Sequence, residues 1–257
     1  MQAQNISQVV AFMDQIMADG SRAGNAMGYF AGMYRLVTLT VKEAAEAGEF
    51  EDNERMKALV VEFANRYLKA YAAYQAEESL SRCWGEAFDL AASQNALILQ
   101  HLFMGMNAHI NLDLGFSAAK LCEDCDIQEL KQDFLTINII LANLVNEVQN
   151  RLKPVSPLIR WADRLGGKWD EKLAGLSLAK ARDNAWEIAQ KAAQLSGDEL
   201  HTFEIITDKK AARIARLISV PEGMRLKFWI KLVSLLESKD SAKVTAALWQ
   251  QGWQVIK

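Results

Sequence analysis

His109 and Asp113 stand four residues apart, so on a continuous helix their side chains meet on one face. A histidine beside a carboxylate can be two ligands of one metal ion. It can also be an acid–base group with its orienting partner. The pair lies in QHLFMGMNAHINLDLG (Gln100–Gly115), which holds two of the three histidines of the chain. Asn107, Asn111 and Asp113 interrupt an apolar run there. A polar group buried without a partner costs roughly 1–3 kcal/mol, so these residues must satisfy one another or bind something.

His101 is the third candidate. It lies eight residues before His109, about 12 Å of helical rise, too far for one metal shell on a straight helix. It joins the pair only if the helix breaks around Gly105–Asn107, or if two metals are bound. As a set, His101, His109 and Asp113 suggest a divalent metal such as zinc, with further ligands drawn from Glu62, Glu86, Asp89 or Asp163. Without a metal, His109 is acid or base, Asp113 orients it, and Asn107 and Asn111 hold a substrate oxygen. A third reading needs no chemistry: a buried His bonded to an Asn or Asp on the next turn is a satisfied core pair.

Arg66 and Tyr67 are candidate substrate contacts, since a guanidinium binds a carboxylate or phosphate bidentately. Arg66 lies one position off an apolar stripe, as Arg35 does on the preceding helix, and either also suits a helix-surface ion pair. Cys122-x-x-Cys125 lacks both the βαβ context of a redox motif and a second CxxC, so it reads as incidental surface thiols. Ser79, Ser81 and Ser117 lack a nucleophile-elbow context. Asp163, Asp170, Arg182 and Asp183 form a charged cluster that suits interhelical pairing. Lys209, Lys210, Arg213 and Arg216 make a basic helix face, followed by Arg225, Lys227 and Lys231 with Trp229, Trp249 and Trp253 nearby. A solvated face is the ordinary explanation, and a membrane surface the alternative.

The elements that must position these groups are helices. Ile6, Val9, Val10, Met13, Ile16 and Met17 predict a helix over about 6–17, ended by Asp19-Gly20, with Gly20–Asn25 a loop. A second spans about 26–47. Met56, Leu59, Val60, Phe63, Tyr67, Tyr71 and Tyr74 form one stripe of a third, its tyrosines reading as core residues with a polar tip. A short helix over about 81–92 leads into the motif. Asp126 and Glu129 form a capping-box pattern for a long helix closed by Pro154. Ser156-Pro157 opens the next, Gly166-Gly167 is a hinge, Ser177 a cap, and further helical patterns follow from about Ser196, split at Pro221.

Only three prolines and 14 glycines in 257 residues argue against a loop-rich β protein. A 51% hydrophobic content is enough for one large core. The expectation is an all-α fold, a single bundle of about nine or ten helices. Residues 1–195 read as the core domain and 196–257 as a C-terminal helical extension packed on it, or a small lobe. The formal net charge of −3 gives no case for nucleic acid. Neither a signal peptide nor a membrane span is seen, and an odd number of cysteines suits a reducing compartment, so a cytoplasmic location is expected.

FANRYLKA (Phe63–Ala70), HLFMGMNAHINLDLG (His101–Gly115) and DRLGGKWDEKLAGLSLAKARDNAW (Asp163–Trp186) together resemble an uncharacterised, mainly bacterial family of unknown function, DUF5995. The likeness covers about 29–186. It makes His101, Asn107, His109, Asn111 and Asp113 the matching motif positions, with Arg66, Asp163, Asp170 and Arg182 secondary, and implies no established activity. A fainter resemblance is to the zinc-dependent phospholipase C and single-strand nuclease group, whose many histidines and N-terminal Trp ligand this chain lacks.

Three functions compete. One is a small-molecule enzyme, foremost a metal-dependent hydrolase of an ester or phosphoester. Another is a metal-free lyase, isomerase or cyclase. The last is a non-enzymatic binding or scaffolding protein whose polar motif fixes the bundle core. A small-molecule ligand is the expected partner.

Overall fold

The computed structural model describes residues 1–93, 96–159, 178–220, 230 and 232–249. Among these there are ten α-helices, one π-helical segment, one 3-10 turn and no strand. The helices are α1 (Ile6–Ala23), α2 (Met27–Glu46), α3 (Asn53–Gln75), α4 (Arg82–Ser93), α5 (Ile98–Ala108), α6 (Gly115–Leu121), α7 (Lys131–Leu152), α8 (Leu178–Ala192), α9 (Gly197–Ser219) and α10 (Ser241–Trp249). The π segment is His109–Leu114 and the 3-10 turn Ile127–Leu130. The all-α bundle is thus as the periodicity implies. Among the described residues no helix is long and apolar enough to cross a membrane.

The central element is one unbroken helical rod, α5–π–α6, from Ile98 to Leu121. No residue from Ile98 to Ala119 is exposed, as expected of a helix that is apolar all round and enclosed by others. It is packed by α2, α3, α4, α8 and α9. Three caps fix its approach and that of its neighbours. The Glu237 carboxylate accepts from Ile98 N at 2.8 Å and from the Ser156 hydroxyl, placing negative charge at the positive end of α5. Asp208 of α9 accepts from Arg82 N and Cys83 N at the start of α4. Asp133, fully buried, accepts from Glu51 N and Asp52 N just before α3.

The expected helix end at Gly20 is not found. Helix α1 runs on to Ala23 and is capped by Gly24 in the left-handed region, φ 65°. Gly20 serves packing instead: a Cβ there would lie 2.7 Å from Gly28 N on α2. The break at Gly105–Asn107 that His101 would need to join the pair is absent, since α5 continues through both. Gly105 lies against Phe30, whose ring carbons would sit 2.4 Å from an added Cβ. Glycine is there for space, not flexibility. At the start of the 3-10 turn, Asp126 accepts from Gln128 N, and the expected partner in its capping box, Glu129, instead pairs with Arg55 at 3.4 Å.

Helix α9 packs on α4 and α5, and its Ala211, Ala212, Ala215 and Ile218 belong to the same core as Met13, Phe30 and Leu102. Helix α10 lies on α2 and α1. Trp249 donates to Asp14, which also pairs with Arg35 at 2.7 Å. Cys122 is 3% exposed, which corrects its reading as a surface thiol, and burial first, then Cys125, pushes its pKa up to about 12. Gly166-Gly167, Asp163, Asp170, Ser177, Pro221, Arg225, Lys227, Trp229, Lys231 and Trp253 lie outside the described residues.

Helix propensity alone favours alanine over glycine by up to about 1 kcal/mol. At Gly105 the overlap with Phe30 reverses that sign, and Gly105→Ala is expected to destabilise by about 1–3 kcal/mol. Urea denaturation tests this, and a more stable variant would refute the close approach.

Candidate functional site

The motif splits into three places. His101 sits near the N-terminal end of α5, edge-on to Tyr29 with ring centroids 5.7 Å apart. Burial, then the Lys239 ammonium, lowers its pKa to about 4. His109 and Asp113 lie further along the rod, with Nδ1 3.6 Å from Oδ2, a contact longer than a hydrogen bond. Asn107 and Asn111 point toward α8 and α9.

Asp113 is the electrostatic centre of the interior. Its Oδ1 accepts from Arg66 Nε at 3.0 Å and its Oδ2 from Trp84 Nε1 at 2.9 Å. The second arm of Arg66 pairs with Glu204 of α9. One carboxylate thereby ties the π segment to α3, α4 and, through Arg66, α9. Burial opposes the charge of Arg66, but Asp113 and Glu204 outweigh it and hold the guanidinium above its ordinary pKa.

His109 is enclosed by aromatic rings from three helices. Phe63 stacks on it at 3.4 Å with planes 9° apart. Tyr34, Phe30, Trp84 and Tyr67 stand tilted or edge-on to it at 4.3, 5.5, 6.2 and 6.4 Å. Burial holds the imidazole below its ordinary pKa against the opposing pull of Asp113. Among the described residues neither ring nitrogen finds a hydrogen-bond partner, nor do the hydroxyls of Tyr34 and Tyr67. Burial first pushes both tyrosines upward, with Asp113 adding to the shift at Tyr34 and Tyr71 to that at Tyr67.

The asparagines form a chain of amides. Asn184 of α8 donates to Asn111 Oδ1 at 3.5 Å, Asn111 to Asn107 Oδ1 at 3.0 Å, and Asn107 to the Ala211 carbonyl at 2.9 Å. Asn111 and Asn184 also line a cleft of about 440 Å³ between α8 and α9, with Ile188, Phe203, Thr207 and Ala211 among its walls. At Gly115 an added Cβ would come within 2.7 Å of the Ala185 carbonyl. That glycine lets α8 lie close enough to α6 to wall this cleft.

His101, His109 and Asp113 are not gathered into one set. Among the described residues no three His, Cys, Asp or Glu side chains gather in a set that could hold a metal. The Asp113 carboxylate is already paired with the Arg66 cation and the Trp84 indole, and a cation beside it disfavours a second positive charge. Without the helix break, His101 stays at the far end of α5. The supplementary acids are engaged elsewhere: Glu62 with Lys120, Glu86 with Arg216 and Asp89 with Tyr74. Trp84, Phe63, Tyr34, Glu204 and Asn184 were not foreseen. Phe63 left a trace in the stripe of α3, and Trp84 in the apolar spacing Cys83, Trp84, Ala87, Phe88, Ala91.

Asp113→Ala would leave Arg66 and Trp84 short of their acceptor, and a loss of about 3–5 kcal/mol is expected. Tyr34→Phe removes an unpaired buried hydroxyl and should be neutral or stabilising by about 1 kcal/mol. Both follow from denaturant titration, and a Tyr34→Phe loss as large as that of Asp113→Ala would contradict the assignment.

The histidines set a pH dependence. An unfolded histidine takes up a proton near pH 6.5, whereas folded His101 resists until about 4. The unfolded state therefore binds more protons between those values. Stability is complete above about 6.5 and falls as the pH drops below it, by about 2 kcal/mol at pH 5 from His101 alone. His101→Gln should lose correspondingly less between pH 7 and 5, and an unchanged pH slope would refute a neutral His101.

The family model of the Family of unknown function (DUF5995) matches residues 6–221. The match extends beyond the motif-bearing stretch at both ends and takes in α1 and α9. No curated protein and no solved structure matches the chain. The chain belongs to this family of unknown function, of which it presents an all-helical fold.

Proposed function

We propose that the chain is a small-molecule-binding protein, with its ligand held in the α8–α9 cleft beside Asn111 and the His109–Asp113–Arg66 cluster serving as the frame behind it. The observation that carries this reading is that the motif meets the cleft through Asn111, while His109 and Asp113 lie behind aromatic rings, 4% and 2% exposed. A cleft of about 440 Å³ is in the range that encloses small ligands.

The enzymatic readings ask more of the same residues. A metal-dependent ester or phosphoester hydrolase needs Asp113 to exchange Arg66 and Trp84 for a metal, and His109 to reach water. A metal-free lyase, isomerase or cyclase needs a substrate against His109, where Phe63 already stacks. Binding asks only that Asn111 and Asn184 turn spare polar atoms to a ligand, while Asn107 and Ala211 hold them in place.

The test is fluorescence titration with the amphiphilic, anionic probe anilinonaphthalene sulfonate. Wild-type protein is expected to bind it saturably, and Ala181→Trp, which puts an indole into the cleft wall, to abolish binding with an unchanged melting temperature. Equal binding by that variant would move the ligand elsewhere.

A further inference from the structure

Resting on the cleft as the binding site, we infer that its ligand is a small organic anion, a carboxylate or phosphate head on an apolar body. The walls carry Lys191 and Lys210, besides a Lys180 that is already engaged, against one acid, Glu187, in a chain whose overall formal charge is −3. Positive charge is thus concentrated at this cleft against the sign of the molecule, and a walled cleft strengthens the field it presents.

The lysines differ in their hold. The Lys191 ammonium sits 4.7 Å from the centroid of the Phe203 ring, which keeps it beside the opening without neutralising it. Among the described residues Lys210 has no ion-pair partner. Of the four basic groups of that face, Lys209, Lys210, Arg213 and Arg216, only Lys210 lines the cleft, and Arg216 is turned to Glu86.

The interior of the cleft is of another kind. Ile188, Phe203 and Ile214 supply apolar and aromatic wall, and Asn111, 8% exposed, is the buried polar group at its base. Its amide nitrogen is held by Asn107, and among the described residues its oxygen receives the long 3.5 Å contact from Asn184. That pairing is loose enough for Asn184 to swing its amide N–H onto a ligand oxygen. Charged rim, apolar wall and an amide pair at one end are complementary to an amphiphilic anion. A bare inorganic ion would leave the apolar wall wet, and a neutral apolar molecule would leave the ammonium groups unanswered.

Isothermal titration calorimetry at low salt, with phenyl phosphate, 4-phenylbutyrate and the neutral 4-phenylbutanol, tests the assignment. At least one of the anions is expected to bind the wild type about tenfold more tightly than the alcohol. Lys191→Gln combined with Lys210→Gln should cost about tenfold in anion affinity and leave the alcohol unaffected. Inorganic phosphate should bind more weakly than phenyl phosphate. If the alcohol binds as tightly as the anions, the charge assignment fails and the cleft stands. If no probe binds, or all bind Ala181→Trp as well as wild type, the cleft itself fails. Binding to phosphatidylglycerol vesicles without binding of either soluble anion would overturn a soluble ligand in favour of a lipid surface.

Discussion

A buried carboxylate with two strong donors governs this fold. Asp113 is 2% exposed, and a charge so placed is tolerated only if its lone pairs are answered. Arg66 and Trp84 answer them from two other helices, and Glu204 holds Arg66 from a third. Because the partners lie 47 and 29 residues from Asp113 in the chain, the cluster can be satisfied only when α3, α4 and the central rod are in register. Apolar packing supplies most of the stability, but it is non-directional. The carboxylate selects one arrangement among those that bury the same area.

The aromatic rings around His109 follow from that constraint. The π segment turns an imidazole into the same interior as the carboxylate, and a neutral ring there needs flat surfaces to pack on. Phe63, Tyr34 and Tyr67 come from the faces of α2 and α3 that also bury Phe30 against Gly105. Histidine here behaves as an aromatic core residue with a polar edge, and its depressed pKa is a result of that packing.

Much of the fold was legible because it is local. Helical periodicity, the stripe of α3 and the proline and glycine stops are properties of neighbouring residues. The His109–Asp113 contact was legible for the same reason, four residues being about one turn. What could not be read is non-local. Nothing near Arg66 announces Glu204, 138 residues away, and nothing near Asn111 announces Asn184. The glycines were hard to read for a related cause: in one dimension Gly20 is a stop and Gly105 a place where a break would bring in His101, whereas each makes room for another helix in three. His101 was grouped with His109 by composition, and an unbroken α5 keeps them apart.

The π segment has an evolutionary consequence. Its wider turn accommodates one residue more than an α-helix of the same rise. A chain one residue shorter between Ala108 and Gly115 would relax to regular α-helix and still present Gly115 to Ala185 and Ile188, so α6 and α8 would keep their seating. What it would lose is the offset that lets Asp113 face α3 and α4 while Asn111 faces α8. The extra residue lets one rod look inward at the frame and outward at the cleft, and its presence or absence in a relative would mark which of them keep both.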